Sequence, residues 1–145
     1  TQKIRLRWMQ SLQGGWELRA TADMALYKEQ PFPVEKGIML SQSISYRGRG
    51  RLTGDAFIAF FDAESYDARL YSYERNLLSS FYMPSFYGKG MRLALSGKYS
   101  VSPSLTLSFK AAHTRYRDRD TIGSGTELIN GNSRTDIWCY LRWKI

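Results

Sequence analysis

The sequence is poor in the residues that staple or ligate a fold. Its one cysteine, Cys139, excludes an intramolecular disulfide and a Cys-rich zinc site. No apolar run approaches the ~20 residues of a membrane helix, which excludes a helical membrane protein. Gly88-Lys89-Gly90 and Gly123-Ser124-Gly125 lack the strand–helix context of a P-loop or dinucleotide fingerprint. There is no internal repeat, linker or low-complexity segment, and 145 residues suit one domain, 1–145, better than two. No signal-peptide pattern opens the chain at Thr1, so it reads as a mature chain or as a piece of a larger one.

Charge and aromatic rings are abundant. Lys and Arg total 21 against 13 Asp and Glu, a net charge of +8. Seven Phe, ten Tyr and four Trp argue against disorder, because such a chain has ample surface to bury, although the mean hydropathy is only −0.43.

The dominant period is two. Ile137, Cys139, Leu141, Trp143 and Ile145 alternate with Asp136, Trp138, Tyr140, Arg142 and Lys144. Successive strand residues point to opposite faces, so this is a strand with one apolar and one polar face. Leu105, Leu107 and Phe109 repeat the pattern, as do Met91, Leu93 and Leu95, Ile4, Leu6 and Trp8, and Trp16 through Leu26. Further strands are predicted at 37–47, 52–61 and 66–75, giving about eight and no helix. Turns are predicted at Gln13-Gly14-Gly15, around Pro31 and Pro33, at Arg47–Arg51, at Asp62–Ser65 and at Ser102-Pro103-Ser104. Longer connections are predicted at 77–90 and 118–134.

Alternation suits either a soluble barrel with its apolar face inward or a membrane barrel with that face toward lipid. Several features favour lipid. The last strand runs to Ile145 with unbroken alternation, and segments of about ten residues suit a tilted crossing. Trp8, Trp16, Tyr27, Tyr46, Tyr99, Tyr116 and Trp143 lie near strand ends, where amphipathic rings sit at headgroup level. Fourteen Arg stand against seven Lys, and guanidinium forks pair with carboxylates where water is limited. Arg5, Arg7, Arg19, Arg92 and Arg142 are therefore expected to form a lumen network with Glu17, Asp23, Asp55 and Asp136. The expected fold is all-β, an antiparallel up-and-down transmembrane β-barrel of about eight strands, closed alone or the C-terminal part of a larger one. Loop lengths would place the 118–134 and 77–90 connections outside, with Arg47, Arg49, Arg51, Arg115, Arg117 and Arg119 on an outer rim facing lipopolysaccharide phosphates.

Phe61–Glu74 read FDAESYDARLYSYE, followed by YGKGMR at Tyr87–Arg92, TIGSG at Thr121–Gly125 and the closing TDIWCYLRWKI. Over about 50–145 this resembles the C-terminal barrel region of the helix-hairpin-helix outer-membrane proteins of Bacteroidota. The resemblance implies a Gram-negative outer-membrane location and a barrel longer than this chain. The family's DNA-binding-like helical module has no counterpart here, so no nucleic-acid role is carried over.

Candidate chemistry is sparse. By parity His113 faces outward near a strand end, where a lipid-A-modifying barrel enzyme would place a base. Asp62, Glu64 and Asp67 have oxygen ligands for calcium without EF-hand spacing, and pairing with Arg69 is the simpler expectation. No catalytic residue, metal or cofactor is assigned. The expected role is non-enzymatic: structural, transport or surface interaction. The alternatives are a soluble antiparallel barrel binding an apolar ligand and a lipid-A-modifying enzyme. Expected partners are outer-membrane lipid, lipopolysaccharide and, through the last strand, the barrel-assembly machinery.

Overall fold

A computed structural model describes residues 1–72, 74–75, 83–123 and 125–144. Outside them lie Tyr73 of the strand expected at 66–75, residues 76–82 (of which 77–82 belong to the expected 77–90 connection), Ser124 of the expected 118–134 connection, and Ile145. The strands are β1 (Gln2–Leu12), β2 (Trp16–Tyr27), β3 (Glu35–Tyr46), β4 (Leu52–Ala63), β5 (Leu70–Tyr71), β6 (Ser85–Phe86), β7 (Gly88–Ser100), β8 (Leu105–Tyr116), β9 (Thr121–Ile122), β10 (Ile129–Asn130) and β11 (Ser133–Trp143). Seven of them, each 11 to 13 residues long, form one antiparallel sheet in the order β1-β2-β3-β4-β7-β8-β11. The all-β expectation holds. The sheet is open, however: β1 and β11 are its two edges, and among the described residues they do not pair with each other.

The strand expected at 66–75 is not a crossing. Among the described residues there, only Leu70–Tyr71 forms a strand, and it pairs with Ser85–Phe86 in a small hairpin separate from the sheet. Its period-two signal is genuine, because Ala68, Leu70, Ser72 and Glu74 are all buried. The segment lays that side onto the sheet instead of joining its ladder.

Removing one crossing changes which loops share an end. The connections 13–15, 47–51 and 101–104 cluster at one end, tied by Arg47 N–H to Gly15 O at 2.7 Å and Ser100 N–H to Arg51 O at 2.9 Å. The described residues of the longer connections 28–34, 64–87 and 117–132 lie at the other, where Glu64 N–H donates to Lys36 O and Arg117 N–H to Lys89 O.

Strand register sorts the side chains into two unlike faces. One face carries Ile4, Leu6 and Trp8, then Ile38 and Leu40, Phe60, Leu93 and Leu95, Leu107 and Phe109, and finally Ile137 and Leu141. These side chains are exposed, Leu6 to 70%, Leu40 to 57% and Ile137 to 71%. The other face carries Asp23, Ser45, Arg92, Ser96, Ser108, Lys110 and Thr114, all buried. The apolar core also lies on this second face, at the long-loop end, between sheet and hairpin. It comprises Ala25, Met39, Ala59, Phe61, Ala63, Leu70, Phe86 and Tyr116.

Phe61 centres that core. Its ring stacks on Phe86 at 4.7 Å and meets Tyr116 edge-on at 5.5 Å. Burying each large side chain contributes about 1.5–3 kcal/mol, and each aromatic pair about 0.5–1.5 kcal/mol more. Two glycines make the room. A Cβ on Gly37 would stand 2.3 Å from the Ala68 carbonyl oxygen, and one on Gly90 would stand 2.6 Å from the Phe61 ring.

Candidate functional site

The buried polar face is the place where this chain concentrates chemistry. Among the expected lumen residues, Arg5 Nε donates to Asp23 across the β1–β2 pair, and Arg19 donates to Glu17 at 2.9 Å. Asp55 accepts from Arg47 at 2.8 Å and from Ser45 Oγ at 2.6 Å, and Arg75 lies 3.3 Å away. Asp136 accepts from Arg134 at 2.8 Å. The expected carboxylates therefore all carry arginine partners. Arg7 and Arg142 also lie on this face but have no ion-pair partner among the described residues. Both belong to edge strands, where no further strand supplies a neighbour.

Arg92 is the most buried cation, and its partner is one the sequence pattern did not single out. Glu74, on the connection carrying the hairpin, accepts from Arg92 Nε and Nη2 at 2.7 Å each. Lys110 Nζ lies 2.8 Å from the same carboxylate. Arg92 Nη1 donates to Thr114 Oγ1 at 2.8 Å, its direct neighbour across the β7–β8 pair. Exposure is 2% for the Arg92 side chain, 4% for Lys110 and 1% for Glu74. Burial alone would raise the Glu74 carboxyl. The hydrogen bonds and charge of Arg92, then of Lys110, outweigh it and hold the group below the ordinary carboxylate range.

This cluster and the Phe61 core hold the hairpin against the sheet together. Phe86 inserts between them, with the Arg92 guanidinium 5.7 Å from its ring centre. Lys3 sits 4.7 Å from the Tyr71 ring on the hairpin's other flank. Breaking a buried ion pair by removing one partner costs about 3–5 kcal/mol, so the cluster is a strong fastening in a chain whose exposed pairs contribute about 0–1 kcal/mol each.

The six arginines expected on one rim occupy both ends. Arg47, Arg49 and Arg51 lie with the short turns, where Arg47 pairs with Asp55 and Arg51 donates to Val101 O at 3.1 Å. Arg115, Arg117 and Arg119 lie at the long-loop end. The displacement follows from the crossing that 66–75 does not make. Arg119 is held between the rings of Tyr87 at 4.5 Å and Tyr116 at 4.4 Å and donates to Tyr87 O at 3.0 Å. Burial works to raise its neighbour Asp118, but hydrogen bonds from Arg119 and the Lys89 backbone prevail and hold that carboxyl low.

The remaining candidates resolve into local contacts. His113 Nδ1 lies 2.8 Å from Thr135 Oγ1, its cross-strand partner on the apolar face. Asp62 pairs with Lys89 at 3.0 Å, Glu64 accepts from Lys36 N–H at 2.8 Å, and Asp67 lies 4.0 Å from Arg69. Among the described residues, no three His, Cys, Asp or Glu side chains group as metal ligands.

The apolar face is bounded in two different ways. At the short-turn end Trp16, Tyr46, Tyr99 and Trp143 form a row across it, with the Trp16 and Tyr46 rings 4.8 Å apart. At the long-loop end the row reads Lys36, Asp62, Lys89 and Arg115. Of the other expected end-belt aromatics, Trp8 lies mid-strand on this face opposite Ala20, and Tyr27 and Tyr116 lie on the polar face. Lys89 to Tyr99 is about ten steps along β7, roughly 33 Å, or about 23 Å along the normal at a tilt of about 45°.

Compared with known proteins, the chain matches no protein family, no curated protein and no solved structure.

Proposed function

We propose that this chain is part of an outer-membrane β-barrel in which the apolar face meets lipid and the polar face lines the lumen. The inverted polarity of the sheet carries this reading. Leucine, isoleucine and tryptophan are exposed across seven strands, while Arg92, Lys110 and Glu74 are buried on the reverse side. Soluble monomers rarely expose contiguous apolar patches beyond a few hundred Å². A band of about 25 Å between an interfacial aromatic row and a charged row is what a bilayer requires. The loop lengths agree: short turns at one end and long connections at the other match periplasmic and extracellular sides, with Arg115 and Arg117 toward lipopolysaccharide phosphates.

The sheet also constrains its completion. Seven antiparallel strands leave β1 and β11 running in the same direction. An all-antiparallel barrel built on both edges therefore takes an odd number of further strands, an even total, as in the larger Bacteroidota barrels that the sequence resembles. Such neighbours would meet Arg7 and Arg142 on the two edges. The role is non-enzymatic, with the hairpin constricting a lumen open to solutes.

The test is whether the complete barrel that carries these strands needs a membrane mimic to fold. Refolding should require detergent or lipid and should yield a species whose migration in a denaturing gel shifts on heating. A monodisperse protein with a cooperative melt in plain buffer refutes the proposal.

A further inference from the structure

Arg92 and Lys110 project from adjacent strands of the sheet onto one carboxylate, Thr114 Oγ1 accepts from the remaining Arg92 Nη1, and each of the three is buried to 5% exposure or less. A guanidinium fork and an ammonium converging on a single anion, with a hydroxyl holding the guanidinium in place, make a receptor for carboxylate or phosphate. The anion now held there, Glu74, comes from a different kind of element. It lies on the long 64–87 connection, outside the sheet. The charges do not balance either: two wall cations share one carboxylate. A dianion would match them better, and a phosphate monoester carries about −1.5 to −2 at neutral pH.

We infer that the wall formed by Arg92 and Lys110, with Thr114 positioning Arg92, is a binding site for a small phosphate-bearing solute, which Glu74 occupies as a tethered internal competitor. The site deepens the proposed function and rests on the polar face being a lumen lining that solutes reach. When phosphate enters, Glu74 leaves, and the hairpin loses the fastening that complements the Phe61–Phe86 stack. Entry of the ligand and withdrawal of the constriction are then one event. Ser72 reports on it: the side chain is fully buried beside the hairpin, and its Oγ has no hydrogen-bond partner among the described residues.

The decisive experiment measures binding of inorganic phosphate to the complete folded barrel that carries these strands by titration calorimetry, at constant ionic strength with chloride and acetate as comparison anions. A tethered competitor acts at an effective concentration in the millimolar range. Glu74→Ala should therefore tighten phosphate binding by about tenfold or more, with acetate binding more weakly than phosphate. Adding Arg92→Met to that variant should reverse the gain at least about tenfold, because hydrogen bonds to a charged group are lost. Glu74→Gln, which keeps the side-chain shape, should act in the same direction if the alanine variant does not fold. A third arm leaves the site intact: with Cys139→Ser and Ser72→Cys, phosphate should speed thiol labelling at position 72 severalfold over chloride.

A folded Glu74→Ala or Glu74→Gln barrel that binds phosphate no better than the parent overturns the inference. So does binding that survives Arg92→Met, which would place the anion on the rim arginines, or labelling at position 72 indifferent to phosphate. Heat-dependent gel migration of the same samples reports separately on the barrel, so a failure of the site and a failure of the membrane reading are distinguishable.

Discussion

A charge placed on the apolar face separates a lipid-facing surface from a water-facing one with opposite signs. Leu95 projects from that face of β7 and is 52% exposed. It lies about six steps from the charged row at Lys89 and four from the aromatic row at Tyr99, or roughly 14 Å and 9 Å along the normal at a tilt of about 45°. Met91 is only about 5 Å from the charged row on the same scale. Arginine near the midplane costs about 2–4 kcal/mol and near the interface about 0–1 kcal/mol. Leu95→Arg should therefore lower the folding equilibrium about 30- to 900-fold, and Met91→Arg by no more than about fivefold. The assay is reversible urea unfolding in lipid vesicles, with tryptophan fluorescence as the signal. On a water-exposed surface both changes would fall within about ±0.5 kcal/mol and would improve solubility. Equal, near-zero effects at the two positions refute the reasoning.

Three other outcomes concern the hairpin. Phe86→Ala removes the ring stacked on Phe61 and should cost about 3–5 kcal/mol, read as rapid protease cleavage within 64–87 while the sheet persists. Gly37→Ala drives a Cβ to 2.3 Å from the Ala68 carbonyl oxygen; at about 1–3 kcal/mol for overpacking, the urea midpoint should fall and the same segment should become cleavable. Glu74 is held below its unfolded pKa, so its stabilisation is complete above the unfolded value and lost as pH falls through the lower folded one. Pepsin should thus spare the hairpin through the ordinary carboxylate range and cut it only at more acid pH, whereas Glu74→Gln should remove that pH dependence.

How much of this was legible in the sequence depends on how local each contact is. Arg5 with Asp23 and Arg19 with Glu17 follow from strand parity and one short turn, so alternation finds them. Arg92 was also legible, because it alternates with Met91 and Leu93. Lys110 carried the same signal, one step from Phe109. Glu74 was hidden for a physical reason: a segment that lies flat on a sheet buries every second residue, as a strand within the sheet does. Counting 66–75 as a crossing then put Arg47, Arg49 and Arg51 at the wrong end, since each added strand exchanges the ends of everything before it. Loop length held the corrective, because seven crossings gather every short turn at one end and eight do not.

The claim that hydrocarbon covers the apolar face is tested most directly at Cys139, the chain's one thiol, which is exposed on that face opposite Phe109. A nitroxide attached there, in the complete barrel refolded into vesicles, should collide readily with dissolved oxygen and rarely with a water-soluble nickel complex. Ready collision with the nickel complex and little with oxygen would place that face in water and contradict the account.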